Sequence, residues 1–195
     1  MDLTLPTLAA LVRETLRDPR GTARRLMALD LPPQASWLGA AVIAALSAIL
    51  AHLTFGVMAA RQGGPANLPA PVMTAAFQYA VMVMTVLGVY HIGRRFGGRG
   101  GFADALLLVV WLQFILVCVQ GAQLVALLVL PPVADILSVA GLVLFLWLLT
   151  AFVAELHGFS SMGRVLGGVI ASLFGLALVM AIFLSVILGG PPGGR

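Results

Sequence analysis

Apolar positions fall into five long runs separated by short polar breaks. The runs are Trp37 to about Ala60, Val72 to Ile92, Ala103 to Leu130, about Val133 to Ala154, and Val165 to Leu188. Each is long enough for a helix across a bilayer core, which takes about 20 residues. The breaks are a Pro-containing link from Arg61 to Pro71, a Gly- and Arg-rich loop from Gly93 to Gly101, the pair Pro131-Pro132, and the loop Glu155–Arg164. The third run is unusually long and predicts tilt or a protruding end. The tail 189–195, Gly189-Gly190-Pro191-Pro192-Gly193-Gly194-Arg195, is expected to be disordered. The pattern predicts an all-α integral membrane protein, with a five-helix transmembrane domain over residues 37–188.

Residues 1–36 are patterned differently. Leu8, Leu11, Val12, Thr15 and Leu16 recur at helical spacing and define one face, with Arg13, Glu14 and Arg17 off it. Asp18-Pro19 reads as an N-cap followed by proline at the first helical position. It opens a second short helix running to about Leu29, with Ala23, Leu26 and Met27 apolar and Arg20, Arg24 and Arg25 polar. Asp30-Leu31-Pro32-Pro33 ends it. Two readings fit this segment. It is an interfacial elbow with its apolar face among the lipid headgroups and its arginines on anionic lipid. Alternatively it is a cytoplasmic helical hairpin packed on the protein's own loops.

Composition narrows the class. Hydrophobic residues make up 61% of the 195 and charged residues only 9%, against about 25% charged in a soluble domain. Mean hydropathy is +1.09. A soluble enzyme and a nucleic-acid-binding domain are both excluded, because so few charges cannot clothe a soluble fold. All 11 basic residues are arginine, which with the Ala, Gly and Leu content points to a GC-rich bacterial genome. The single cysteine, Cys118, allows neither an internal disulfide nor a thiolate cage. The N-terminus lacks the pattern of a cleavable signal peptide.

Arginine placement predicts orientation. Arg13, Arg17, Arg20, Arg24 and Arg25 precede the first run, Arg94, Arg95 and Arg99 lie between the second and third, and Arg164 lies between the fourth and fifth. Only Arg61 and Arg195 fall on the other side. The positive-inside rule then puts the N-terminus in the cytoplasm and the C-terminus outside, in the bacterial inner membrane. Trp37 is expected at an interface, and Trp111 and Trp147 between helices.

Polar residues within the runs are the candidates for function. His52 lies about 22 Å along the first run from Trp37 at 1.5 Å per residue. It is read as hydrogen-bonded between helices, with a proton relay as the rival. Gln113 and Gln120 share a face of the third run, with Gln123 near its edge, and Gln78 and Tyr79 lie in the second. Interhelical hydrogen bonding is the commoner use of such groups, and a polar path is the alternative. Gly167, Ala171 and Gly175 form a small-residue seam on the fifth run, with Gly168 and Ser172 one step round.

Other chemistry is weakly supported. Asp104 opens the third run and is expected to stabilise that helix start and offset Arg94, Arg95 or Arg99. The Gly93–Gly101 loop lacks a P-loop pattern and suits a headgroup contact better than a nucleotide. Glu155, His157 and Arg164 share one short loop and are expected to form a local salt-bridge and capping cluster rather than a Ser-His-Glu triad. Three histidines without a paired motif predict no metal, and no cofactor is expected.

Several segments resemble the Yip (Ypt/Rab-interacting protein) domain family in its bacterial form. They are Leu16-Arg17-Asp18-Pro19-Arg20-Gly21-Thr22-Ala23-Arg24-Arg25-Leu26 leading to Trp37, Phe96-Gly97-Gly98-Arg99-Gly100-Gly101-Phe102 before Ala105-Leu106, and the short loop with Glu155, His157 and Phe159. The acidic-aromatic-Gly-Pro motif of the eukaryotic members is missing, so the resemblance does not extend to a Rab-type GTPase partner. It implies a polytopic, non-enzymatic protein that organises membrane or partner proteins as scaffold, adaptor or membrane-shaping component. The expected partners are the bilayer, anionic headgroups at Arg13, Arg17, Arg20, Arg24, Arg25, Arg94, Arg95 and Arg99, and a second copy or another membrane protein. A small transporter or channel using His52, Gln113 and Gln120, or an accessory subunit of a larger complex, is the alternative.

Overall fold

The computed structural model describes residues 4–64 and 69–188, so the tail 189–195 and part of the first link lie outside the described residues. Among the described residues all regular structure is helical. The order is α1 (Leu5–Arg17), α2 (Pro19–Met27), α3 (Pro33–Gln62), α4 (Pro71–Arg95), α5 (Phe102–Val129), α6 (Pro131–His157) and α7 (Met162–Leu188). Four of them, α3 to α6, are long and apolar enough to cross a membrane. The fifth expected span falls on α7, within which the stretch Met162–Gly175 is a shorter apolar helix by the same measure.

The long helices overrun the apolar runs, because helical hydrogen bonding does not stop where hydropathy does. α4 continues through Arg94 and Arg95, and α6 continues through Glu155 to His157. Pro131-Pro132 is not a connection but the first turn of α6. Proline suits that turn because its missing N–H would have no partner there. The link shrinks to Leu130, held extended at φ −144° and ψ 81°, as the residue before a proline must be.

Helix α5 is the centre. Leu106, Leu108, Leu112 and Ile115 are fully enclosed, with α3, α4 and α6 packed around them. The approach of α3 to α5 uses a face of small residues: Ser36, Ala40, Ala44, Ser47 and Ala48 are buried there together with Ile43. This four-residue spacing brings two backbones close. Ser47 Oγ crosses between the two helices to donate to Gln120 Oε1 at 2.8 Å.

The N-terminal hairpin turns on one residue. Asp18 ends α1, its N–H donating to Glu14 O, and caps α2, its carboxylate accepting from Gly21 N–H at 2.9 Å. Pro19 keeps Asp18 out of the helical region and starts α2. Gly21 leaves room for this cap, since a Cβ there would displace the Asp18 carboxylate from its capping position. The apolar face of α2 is buried against α6 and α5 rather than turned outward, with Ala23 and Leu26 enclosed. The hairpin thus packs on helices of the bundle, not on the loops that the second reading of this segment expects. The physical reason is that α2 finds a protein surface ready to cover its apolar stripe. Thr15 of α1 is also enclosed, and Trp111 Nε1 donates to its hydroxyl at 3.0 Å. Trp111 lies about 13 Å along α5 from Phe102 at 1.5 Å per residue, so the hairpin reaches well up the side of the bundle.

Two other tryptophans differ in setting. Trp37 packs against Tyr79 and Phe102, with ring centroids 6.3 and 6.2 Å away. Trp147, expected between helices, is instead 41% exposed on the outer face of α6. The inner face of this helix end is filled by Leu148, Ala151 and Phe152, which leaves an indole only the lipid-facing side.

Thr22 is buried on α2 and its hydroxyl has no hydrogen-bond partner among the described residues. An enclosed hydroxyl without a partner costs about 1–3 kcal/mol. Thr22→Val keeps the shape and removes that group, so it is expected to stabilise the protein by about 1 kcal/mol. Thermal unfolding of the two purified proteins in the same detergent measures this, as a rise in midpoint.

Candidate functional site

The end of α6 collects the polar contacts of one whole end of the bundle. Glu155 and His157 are two residues apart, so they point to different neighbours. Glu155, with a side chain only 15% exposed, faces the N-terminal hairpin. Arg20 Nε lies 2.7 Å from Glu155 Oε2 and Arg24 Nε lies 3.0 Å from Glu155 Oε1. The two arginines are one turn apart on α2, which is what lets both reach a single carboxylate. Arg20 Nη2 also donates to the Phe159 carbonyl at 3.5 Å.

His157 faces the opposite way, into the α4–α5 loop. It is 3% exposed. The Gly100 N–H donates to its Nδ1 at 3.3 Å, and Nε2 lies 3.0 Å from the Val89 carbonyl. Nδ1 can accept only if unprotonated, so these partners assign the proton to Nε2. The backbone comes this close because Gly93, Gly98 and Gly100 have no side chain. A Cβ at Gly93 or Gly98 would overlap the imidazole, and one at Gly100 would lie 2.5 Å from Leu156 Cγ. Gly97 supplies the left-handed turn at φ 86° that folds the loop over the ring. The Gly-rich loop is therefore a cradle for a side chain of the same protein, and Phe159 covers it with a ring centroid 5.6 Å away.

These contacts correct the reading of Glu155, His157 and Arg164 as a local cluster. Glu155 pairs across 135 positions of sequence and His157 across 57. The αL cap at Gly158 ends α6, and Arg164 belongs to the first turn of the next helix, α7, away from both. The ion pairs among the described residues are the two at Glu155 and Arg25 with Glu14. Asp104, expected to offset the loop arginines, takes part in none of them. Arg94 instead donates from Nη1 to Tyr90 Oη at 2.7 Å and lies over that ring. Arg13, Arg17, Arg95 and Arg99 are exposed.

At the other end, His52 Nδ1 lies 2.8 Å from the Ala48 carbonyl of its own helix and Nε2 lies 2.9 Å from the Pro69 carbonyl of the α3–α4 link, and a neutral ring donates to one of them at a time. It ties down a link instead of bridging two spans. Gln120 takes the Ser47 hydroxyl, and Gln123 Nε2 donates to Ser138 Oγ at 3.4 Å. Gln113 is half-buried, and no side-chain hydrogen bond is found for it among the described residues. Gly167, Ala171 and Gly175 are exposed, and nothing lies within 4 Å of a Cβ placed on Gly167 or Gly175. No group of three or more His, Cys, Asp or Glu able to hold a metal is found among the described residues.

The second feature is a cleft of about 800 Å³ between α4 and α7, backed by α6. Its walls include Met84, Gly88, Val153, Val169 and Leu173, and Ser160, Ser161 and Arg164 line its end beside the His157 cradle.

Long apolar helices around a buried centre, with polar groups gathered at their ends, define a polytopic α-helical membrane protein. The chain belongs to the Yip1 domain family, whose model matches residues 13–183. No curated protein and no solved structure matches it. The matched region takes in α2, the glycine cradle and the end of α6. Sequence reasoning found the cradle's members but not their mutual contact. The available signal was a buried-type histidine at a helix end with glycines spaced for close approach.

The cradle predicts a specific non-additivity. Gly98→Ala is expected to cost about 1–3 kcal/mol, the range for overpacking a filled site. In a His157→Ala background the clash is gone, and Gly98→Ala is expected to cost far less. Gly163→Ala, open on every side, serves as a neutral comparison. Unfolding midpoints of the four variants check this, and equal costs of Gly98→Ala in both backgrounds would refute the cradle.

Proposed function

We propose that this protein is a non-enzymatic, five-span component of a bacterial inner membrane that acts as scaffold, adaptor or membrane-shaping element. The observation that carries the reading is how the charged groups at the end of α6 are used. Glu155, Arg20, Arg24 and both nitrogens of His157 are occupied by partners in the same chain. A site whose titratable groups are all engaged in holding helices together suits a fixed platform better than acid–base catalysis, which needs a group free to exchange a proton.

The proposed platform is the end of the bundle that bears the hairpin. The ion pairs and the cradle bring α1–α2, the α4–α5 loop and the α6–α7 loop to one end. Nine of the eleven arginines belong to these segments or to the helix turns that flank them. With α7 as the fifth span, the positive-inside rule makes this the cytoplasmic end, with the C-terminus outside. Arg13, Arg17, Arg95 and Arg99 are exposed there for anionic lipid or a partner. Gly167, Ala171 and Gly175 offer a close-packing face to a second copy or another membrane protein. The transporter alternative draws less support because the ring nitrogens of His52 face backbone carbonyls and not an acidic side chain.

Topology is tested by reporters. One fused after Arg195 is expected to be active only outside the cytoplasm, and one inserted in the Arg94–Arg99 loop only inside. The opposite result at either point removes the five-span arrangement.

Function is tested by copurification in mild detergent with mass spectrometry. Self-association without a partner supports a scaffold, and one stoichiometric membrane protein supports an adaptor or subunit. A pH-dependent flux in vesicles, lost in both His52→Gln and His52→Leu, would replace this reading with transport.

A further inference from the structure

We infer that the cleft between α4 and α7 binds one anionic glycerophospholipid, with an acyl chain between the two helices and its phosphate at Ser160, Ser161 and Arg164. The length of the cleft is the first argument. Among the described residues it runs along α7 from Arg164 to Gly175, about 16 Å at 1.5 Å per residue. That length seats an acyl chain whose headgroup is anchored at the Arg164 end.

Chemistry is the second argument. The walls along α4, α6 and α7 are apolar apart from Thr85 and Ser172, whose hydroxyls donate to carbonyls of their own helices, and Ser160, Ser161 and Arg164 gather at the loop end. The volume of about 800 Å³ lies within the range of ligand pockets. Gly88, Gly168 and Gly175 line it, and nothing stands within 4 Å of a Cβ on Gly168 or Gly175.

Charge is the third. Arg164 sits in the first turn of α7, where the helix dipole is already positive and a cation is unfavourable. Glu155, the carboxylate closest to it in sequence, is occupied by Arg20 and Arg24. Among the described residues Arg164 enters no ion pair. A phosphate at this mouth would meet the guanidinium and two serine hydroxyls together.

The inference rests on α7 crossing the membrane, which the reporter after Arg195 reads independently. The test uses the full chain, delipidated in detergent and titrated with phosphatidylglycerol or with phosphatidylcholine of the same acyl chains, and observed by native mass spectrometry. One phosphatidylglycerol is expected per chain, retained about fivefold better than phosphatidylcholine, the effect of one basic residue at an anionic surface. Arg164→Gln is expected to erase that preference. Gly168→Leu and Ser172→Leu fill the cleft and are expected to release both lipids. A photoactivatable phosphatidylglycerol on the unaltered chain is expected to label α4 and α7 peptides lining the cleft. Equal retention of both lipids that ignores the filling variants, or labelling spread evenly over the outer faces of α3 and α5, would overturn the proposal. So would a dimer that dissociates on Gly168→Leu while lipid retention stays unchanged, which would assign the cleft to a second copy.

Discussion

The imidazole of His157 can be enclosed only by backbone that carries no side chains, and this constraint fixes one end of the molecule. Three glycines must face it, one from the last turn of α4 and two from the loop to α5. Once they do, α4, the loop and α6 have a single mutual arrangement, because a shift of either helix breaks the bonds to Gly100 N–H and the Val89 carbonyl. Glu155, on the other side of the same helix end, then sits where Arg20 and Arg24 can both reach it. The docking of the N-terminal hairpin thus depends on the cradle through a separation of only two residues on α6.

The same dependence explains why part of this protein is legible in its sequence and part is not. Hydropathy marked α3 to α6 because each run must satisfy its backbone internally within the bilayer. Asp18-Pro19 marked the turn of the hairpin because capping is local, and the structure puts that cap where the pair predicts. Helix ends were less legible, since α4 and α6 run on through Arg95 and His157 beyond the apolar stretch. Contacts between distant segments were illegible. Nothing in the spacing of Glu155 and His157 says that one reaches back to Arg20 and the other to Gly100. The small-residue signal was legible but ambiguous. The same periodicity occurs in α3, where Ala40, Ala44 and Ala48 are buried, and in α7, where Gly167 and Ala171 are exposed.

That contrast divides the bundle into a closed part and an open part. α5 is gripped by α3 through small residues and by α6 through Leu148 and Phe152. Polar side chains in this part are used as joints: Ser47 to Gln120 between spans, and His52 to the Pro69 carbonyl at a link. A hydroxyl or amide in hydrocarbon that finds a partner loses the capacity to move a solute along a path, since breaking the bond leaves the group unpaired. The polar residues that the sequence offers as a conducting stripe are therefore better suited to fixing helices.

α7 belongs to the open part. Among the described residues it is joined to the rest chiefly along α6, which leaves other described faces of it uncovered by this bundle. In a bilayer the default is lipid, which covers apolar surface without any specific contact and costs no directed interaction. A default covering is uniform, however, whereas the surroundings of α7 are not. One face carries glycines with open space beside them, and another borders a cleft that ends at an arginine. Helix packing in membranes is driven by fit and by polar contacts rather than by hydrophobicity, because lipid tails are as apolar as leucine. On the readings proposed above, these two irregularities, and not the large exposed apolar faces of α3 and α6, are the places where a specific occupant would gain over bulk lipid.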